Sequence, residues 1–170
     1  MSSPPDFREL LLLGFLRRQN MHGYQLNKFL LGELATCIDI KKPTAYYLLK
    51  RMAKQGWIAE TIEQDGNRPP RRVYNITPQG ETAFQTLLRT ALSIYIPIYF
   101  EEDFALAFLD ELPPQEVRSL LEQRRDALLQ AHATLQKTPP HSGSVQWLIE
   151  HQRRHLQTEL DLLNEILGSL

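Results

Sequence analysis

From Phe7 to Arg18 the apolar residues Phe7, Leu10, Leu11 and Phe15 recur at helical spacing, and Leu12, Leu13 and Leu16 widen the stripe until little polar surface is left. The pattern predicts a helix buried on most sides, capped by Asp6. Asn20 to Gly23 reads as a break. Leu26, Phe29 and Leu30 predict a second helix over about 23–31, and residues 32–42 a connector. A third helix opens at Pro43, a residue favoured in the first turn, and ends near Gln55-Gly56, where glycine can terminate it. Ala45, Leu48, Leu49 and Met52 form its inner stripe, while Thr44, Tyr47, Lys50, Arg51 and Lys54 fall on the opposite face. Tyr46 lies beside the inner stripe.

The pattern then becomes strand-like. Trp57 to Ile62 and Arg71 to Ile76 are rich in β-branched and aromatic residues and predict two strands. The tip between them, 64–70, holds Pro69-Pro70, which cannot donate to a ladder. Thr77-Pro78 has the form of an N-cap followed by a first-turn proline. The fourth helix that it opens carries Phe84, Leu87, Leu88, Ala91, Leu92 and Tyr95 and should stop before Pro97. The remainder is predicted helical over 101–112 (Phe104, Phe108, Leu109 and Leu112 on one side), over 115–136, and over about 144–167. In the last helix Ile149, Leu156, Leu160, Leu163 and Leu167 make one stripe. The fold class expected is mainly α with a small β-hairpin wing: a winged helix-turn-helix domain over 1–96 and a helical dimerisation or effector domain over 97–170.

Charge sharpens this division. The formal net charge of the 170 residues is −1, but residues 1–90 carry 13 Lys+Arg against 8 Asp+Glu, a net of +5, and residues 91–170 carry 6 against 12, a net of −6. A basic half is suited to a polyanion. The outward face of the third helix offers hydroxyls, a tyrosine and cations, and a major groove admits one helix. Lys42, Thr44, Tyr47, Lys50 and Arg51 are its candidate contacts. Arg68, Arg71 and Arg72 lie on a proline-stiffened tip that can reach the minor groove or the backbone.

No apolar run of about 18 residues suggests a membrane span. The single cysteine, Cys37, excludes an internal disulfide framework, fits a cytoplasmic setting and reads as a small packing residue. There is no glycine-rich phosphate loop, paired-carboxylate site or nucleophile motif, so no catalysis and no cofactor are expected. His151 and His155, four apart on one face, lack a third ligand nearby, and no metal site is expected. Trp57 reads as core. Trp147 with Tyr95, Tyr99 and Phe100 reads either as packing or as an aromatic effector pocket at a dimer interface. The leucine stripe of the last helix is most economically covered by a second copy.

HGYQL at 22–26, KKPTAYYLLKRMAKQGWI at 41–58 and GNRPPRRVYNITPQG at 66–80 together resemble the PadR family of bacterial transcriptional regulators, over about residues 8–90. The resemblance implies that Tyr24, Thr44, Tyr46, Lys50 and Arg51 match DNA-contacting or helix-docking positions and that Arg71 and Arg72 match the basic wing. It also implies a homodimer, in many members a repressor released by a small aromatic or lipophilic effector. Pro43, Tyr47 and the added proline of the wing depart from the family pattern. The expected function is sequence-specific binding of double-stranded DNA, as a repressor on a pseudo-palindromic operator. The alternative is a winged-helix protein-interaction module that does not bind DNA.

Overall fold

The computed structural model describes residues 5–18, 21–22, 40–64 and 71–170, with the backbone alone at Met21, His22 and Arg71. Two compact units divide the chain, Met1–Ile96 and Pro97–Leu170.

In the first unit α1 spans Phe7–Arg18. Asp6 Oδ1 accepts from the backbone N–H of Arg8 at 3.1 Å, as an N-terminal cap should. Leu12, Leu13, Phe15 and Leu16 are buried, and so is Glu9. The next helix, α2, spans Lys42–Lys54 and has Pro43 in its first turn. It buries Ala45, Leu48, Leu49 and Met52, the stripe read from the sequence. It ends in a Schellman arrangement: Gly56 at φ +72 donates to Ala53 O at 3.0 Å, and Trp57 donates to Met52 O at 2.9 Å. The second helix expected over 23–31, and Cys37 beyond it, lie outside the described residues.

Three strands follow a pattern that the sequence only partly displays. β1 is Met21–His22, β2 is Ile58–Glu63 and β3 is Arg71–Ile76. They form one antiparallel sheet in the order β1-β3-β2. β3 faces Glu63 with Arg71 and Ile58 with Ile76 on one side, and Met21 with Tyr74 on the other. The expected break at 20–23 is therefore in part a strand. Two residues are too few to show a period of two, and what makes them a strand is the free edge of β3.

Then α3 runs Pro78–Ser93 from an N-cap at Thr77. Thr77 Oγ1 accepts from Gly80 N at 3.0 Å and donates to Gly56 O at 2.6 Å, and Thr77 N donates to Trp57 O at 3.0 Å. One threonine thus ties the end of α2, the start of β2 and the start of α3 together. On the other side α3 meets α1. Arg17 Nε donates to Glu81 Oε2 at 2.6 Å, and the Arg17 guanidinium lies 4.5 Å from the centroid of the Phe84 ring.

In the second unit a 3₁₀ segment, Glu101–Glu111, bends at Phe108 (φ −128, ψ 23) and is followed by α4, Pro114–Gln136, and α5, Val145–Ser169. The α-helix predicted over 101–112 is thus tighter and broken. Its three-residue turn sends Leu106 and Leu109 inward and leaves Phe104 and Phe108 exposed. Val117 and Leu121 of α4 pack with Leu163 and Leu167 of α5 as the core of the unit. Ile149 and Leu160 are also buried. The leucine stripe expected to need a second copy is therefore covered inside the chain by α4. Only Leu156 of that set is half-buried.

Candidate nucleic-acid interface

The outward face of α2 is built by what its inner face buries. With Ala45, Leu48, Leu49 and Met52 fixed in the core, the helical period leaves Tyr47 and Lys50 outward, with Thr44 half-exposed. Tyr47 is 64% exposed and Tyr46 37%, so Tyr46 lies nearer the core, as its place beside the stripe implies. Lys41 is the N-cap, in extended backbone, and no acidic side chain occupies the first turn. Lys41 and Lys42 are both exposed there. Two cations beside the positive end of the helix dipole make that end attractive to an anion.

Arg51 departs from the expectation. Its Nε donates to Glu9 Oε1 at 2.8 Å and its Nη2 to Asp6 Oδ2 at 3.4 Å, and its guanidinium lies 5.8 Å from the centroid of the Tyr47 ring. Glu9 is buried, so its carboxylate needs that partner. Hydrogen bonding to Glu9, against the cost of burial, raises the guanidinium above its ordinary value. Arg51 is thus a strut between α2 and α1 that also flanks Tyr47, rather than a side chain offered outward. Sequence reasoning had no access to this pair, because the partners are 42 residues apart.

These anchors give the first unit a defined acid response. The Arg8 side chain, with smaller help from Arg51, holds the Asp6 carboxyl below its ordinary 3.8, and Arg17 holds Glu81 below its ordinary 4.5. Both groups ionise more readily folded than unfolded, so the stability they supply is complete above about pH 4.5. It is lost as pH falls through their lowered folded values, where the unfolded chain already holds the protons. Urea unfolding at pH 6 and pH 3 should show the first unit weakened at pH 3. Equal midpoints would mean that α1 is held by packing alone.

On the wing, Arg72 is exposed, and its Nη1 donates to Glu60 Oε1 at 2.6 Å. The basic wing is therefore partly neutralised by its own outer strand. Arg71 pairs with Glu63 through the strand register. Arg68 and the rest of the tip from Asp65 to Pro70, like Tyr24, lie outside the described residues. Tyr74 is buried in the sheet, and burial raises its hydroxyl above the ordinary value.

In the second unit Ile149, Leu160, Leu163 and Leu167 are core, so an aspartate at Leu160 would damage the unit itself rather than only its pairing. Tyr95 (87% exposed, at the end of the first unit), Tyr99 (78%) and Trp147 (73%) line neither of two clefts found in the second unit. One cleft is apolar, between the 3₁₀ segment and α4, and the other is lined by Phe100, Arg124, His155 and Leu156. His155, singled out in the sequence for its spacing from His151, stacks on Phe100 with ring centroids 5.2 Å apart. Among the described residues no three His, Cys, Asp or Glu side chains are grouped as metal ligands. Arg124, held by Asp103 at 2.6 Å and by Glu159 at 3.1 Å, is a feature the sequence reading missed. Its partners lie 21 and 35 residues away, so nothing local set it apart from Arg125 beside it.

A model of the transcriptional regulator PadR-like family matches residues 12–86. No curated protein sequence matches the chain. Among solved structures, Bacillus subtilis PadR in complex with operator DNA superposes with a TM-score of 0.80 at 19% identity, covering 96% of this chain and 99% of that one. PadR of the same organism in complex with p-coumaric acid gives 0.76 at 19%, covering 96% and 98%. The Vibrio cholerae virulence activator AphA gives 0.75 at 16%, covering 95% and 96%.

Proposed function

We propose that the chain, whose residues 12–86 match a model of the transcriptional regulator PadR-like family, is a sequence-specific DNA-binding regulator that acts as a homodimer and represses by occupying a promoter. The observation that carries this reading is the face of α2: Lys42, Tyr47 and Lys50 exposed beside Thr44, on a helix locked from behind by the core and by Arg51. The operator complex of the Bacillus subtilis neighbour supports it. The N-terminal turn of α2 enters the major groove, where Thr44 and Tyr47 meet base edges and Lys42 and Lys50 meet phosphates. On the wing, phosphate competes with Glu60 for Arg72.

Pairing belongs to the second unit. Its α5 keeps Trp147 and Leu162 exposed beside the buried stripe. Two copies set two α2 helices about 34 Å apart, one turn of DNA, and so read a pseudo-palindrome. A small effector that alters this spacing costs phosphate contacts and releases the operator. The p-coumaric acid complex of the neighbour supports a ligand-responsive member. No catalytic role belongs to this reading. Among the described residues no helix is long and apolar enough to cross a membrane.

Selection of bound sequences from a random duplex pool tests the proposal. Enrichment of two inverted half-sites one helical turn apart is expected. A pool that stays random would instead favour a winged-helix module that binds protein.

A further inference from the structure

The two clefts of the second unit are neighbours. Glu102 and Arg124 line both of them. One lobe, about 270 Å³, is walled by Leu106, Phe108, Leu109, Leu112 and Leu120. The other, about 300 Å³, is walled by Phe100, Leu128, His155, Leu156 and Glu159. Together they have the size and the mixed lining of a small-molecule site, an apolar body with a few convergent polar groups.

The charge at their junction is one-sided. Arg124 is the one guanidinium there, and Asp103 and Glu159 already hold it at 2.6 and 3.1 Å. Glu102 enters no ion pair among the described residues. Three carboxylates thus face one cation, in a unit whose sequence is itself strongly acidic. Arg124 is spoken for and is poorly placed to receive an anion. The Phe100 ring, stacked on His155, adds an electron-rich surface of the kind that attracts cations.

We propose that this two-lobed cleft binds a cationic amphiphile, with its apolar body among Leu106, Phe108, Leu109 and Leu120 and its ammonium group beside Glu102 and Glu159. The occupant follows from charge complementarity: an ammonium group meets net negative charge at the junction, and a carboxylate is repelled by it. The assignment rests on the ligand-responsive reading above only for its consequence, release of DNA. Binding itself is a property of the second unit.

Calorimetric titration of the full-length chain, without DNA, with octyltrimethylammonium, octanoate and 1-octanol tests it. The ammonium compound should bind at least about tenfold more tightly than octanoate. Glu102→Gln, an exposed and near-isosteric change, should remove most of that preference while leaving octanol binding unchanged. Octanoate binding as well as the ammonium compound, or no binding by any of the three, overturns the proposal. So does a preference that survives both Glu102→Gln and Glu159→Gln. Because DNA is absent, such a failure leaves the DNA-binding reading standing, and a failure to bind DNA leaves this result unaffected. If both hold, octyltrimethylammonium and not octanoate should lower the affinity for the selected operator.

Discussion

Gly80→Ala should destabilise the first unit by about 3 kcal/mol or more, from overpacking together with a weakened cap. A Cβ at Gly80 would lie 1.9 Å from Trp57 O, 2.8 Å from Trp57 C and 2.9 Å from Ile76 Cγ1. The first two are backbone atoms in the turn that starts β2, so no side chain can swing aside. Relief requires the first turn of α3 to retreat. That stretches the Gly80 N–H bond to Thr77 Oγ1 and the bonds from Thr77 to Gly56 and Trp57. Those bonds join the end of α2, the helix proposed to meet DNA, to the base of the wing, so operator binding should weaken along with stability. Against a total stability of 5–15 kcal/mol for an ordinary domain, the loss is easily read by urea unfolding. Gly168→Ala, where no atom lies within 4 Å of the added carbon, is the matched control and should be near neutral. A Gly80→Ala midpoint equal to the control would show that α3 slides freely on the sheet.

The second large effect concerns binding without folding. Lys42→Glu combined with Lys50→Glu should lower affinity for duplex DNA about 100-fold or more, with little dependence on sequence, because each change removes a phosphate partner and adds a repelled charge. Both lysines are exposed, and neither joins an ion pair among the described residues, so the unfolding midpoint should be almost unchanged. Tyr47→Ala, in contrast, should alter which sequence is preferred more than it alters affinity for random DNA. If the double reversal binds as the parent does, the face of α2 is not the one that meets DNA.

The parts of this molecule that could be read from the chain are those set by local rules. Pro43 and Gly56 bracket α2, and Thr77 with Pro78 opens α3, because capping and φ restrictions act over a few residues. The buried stripe of α2 follows from its period alone, and its outward face follows by subtraction. What could not be read depends on partners distant in sequence. β1 exists because β3 has a free edge. The α5 stripe looked unpartnered until α4 covered it. Arg51 looked like a phosphate ligand because periodicity places it on the outer half of the helix and says nothing of the buried Glu9 beneath. The 3₁₀ segment escaped for another reason: Leu106, Leu109 and Leu112 repeat every three residues, but Phe104 and Phe108 also fit a helical repeat.

The affinity of the full-length chain for a duplex, followed from 50 to 200 mM salt, tests the central claim most directly. If two α2 faces and their wings meet phosphates, affinity falls steeply over that range, by a factor of about 10³ or more for six or more contacts, and the Lys42→Glu, Lys50→Glu variant shows a visibly flatter line. Weak binding that barely responds to salt, in parent and variant alike, would contradict the account.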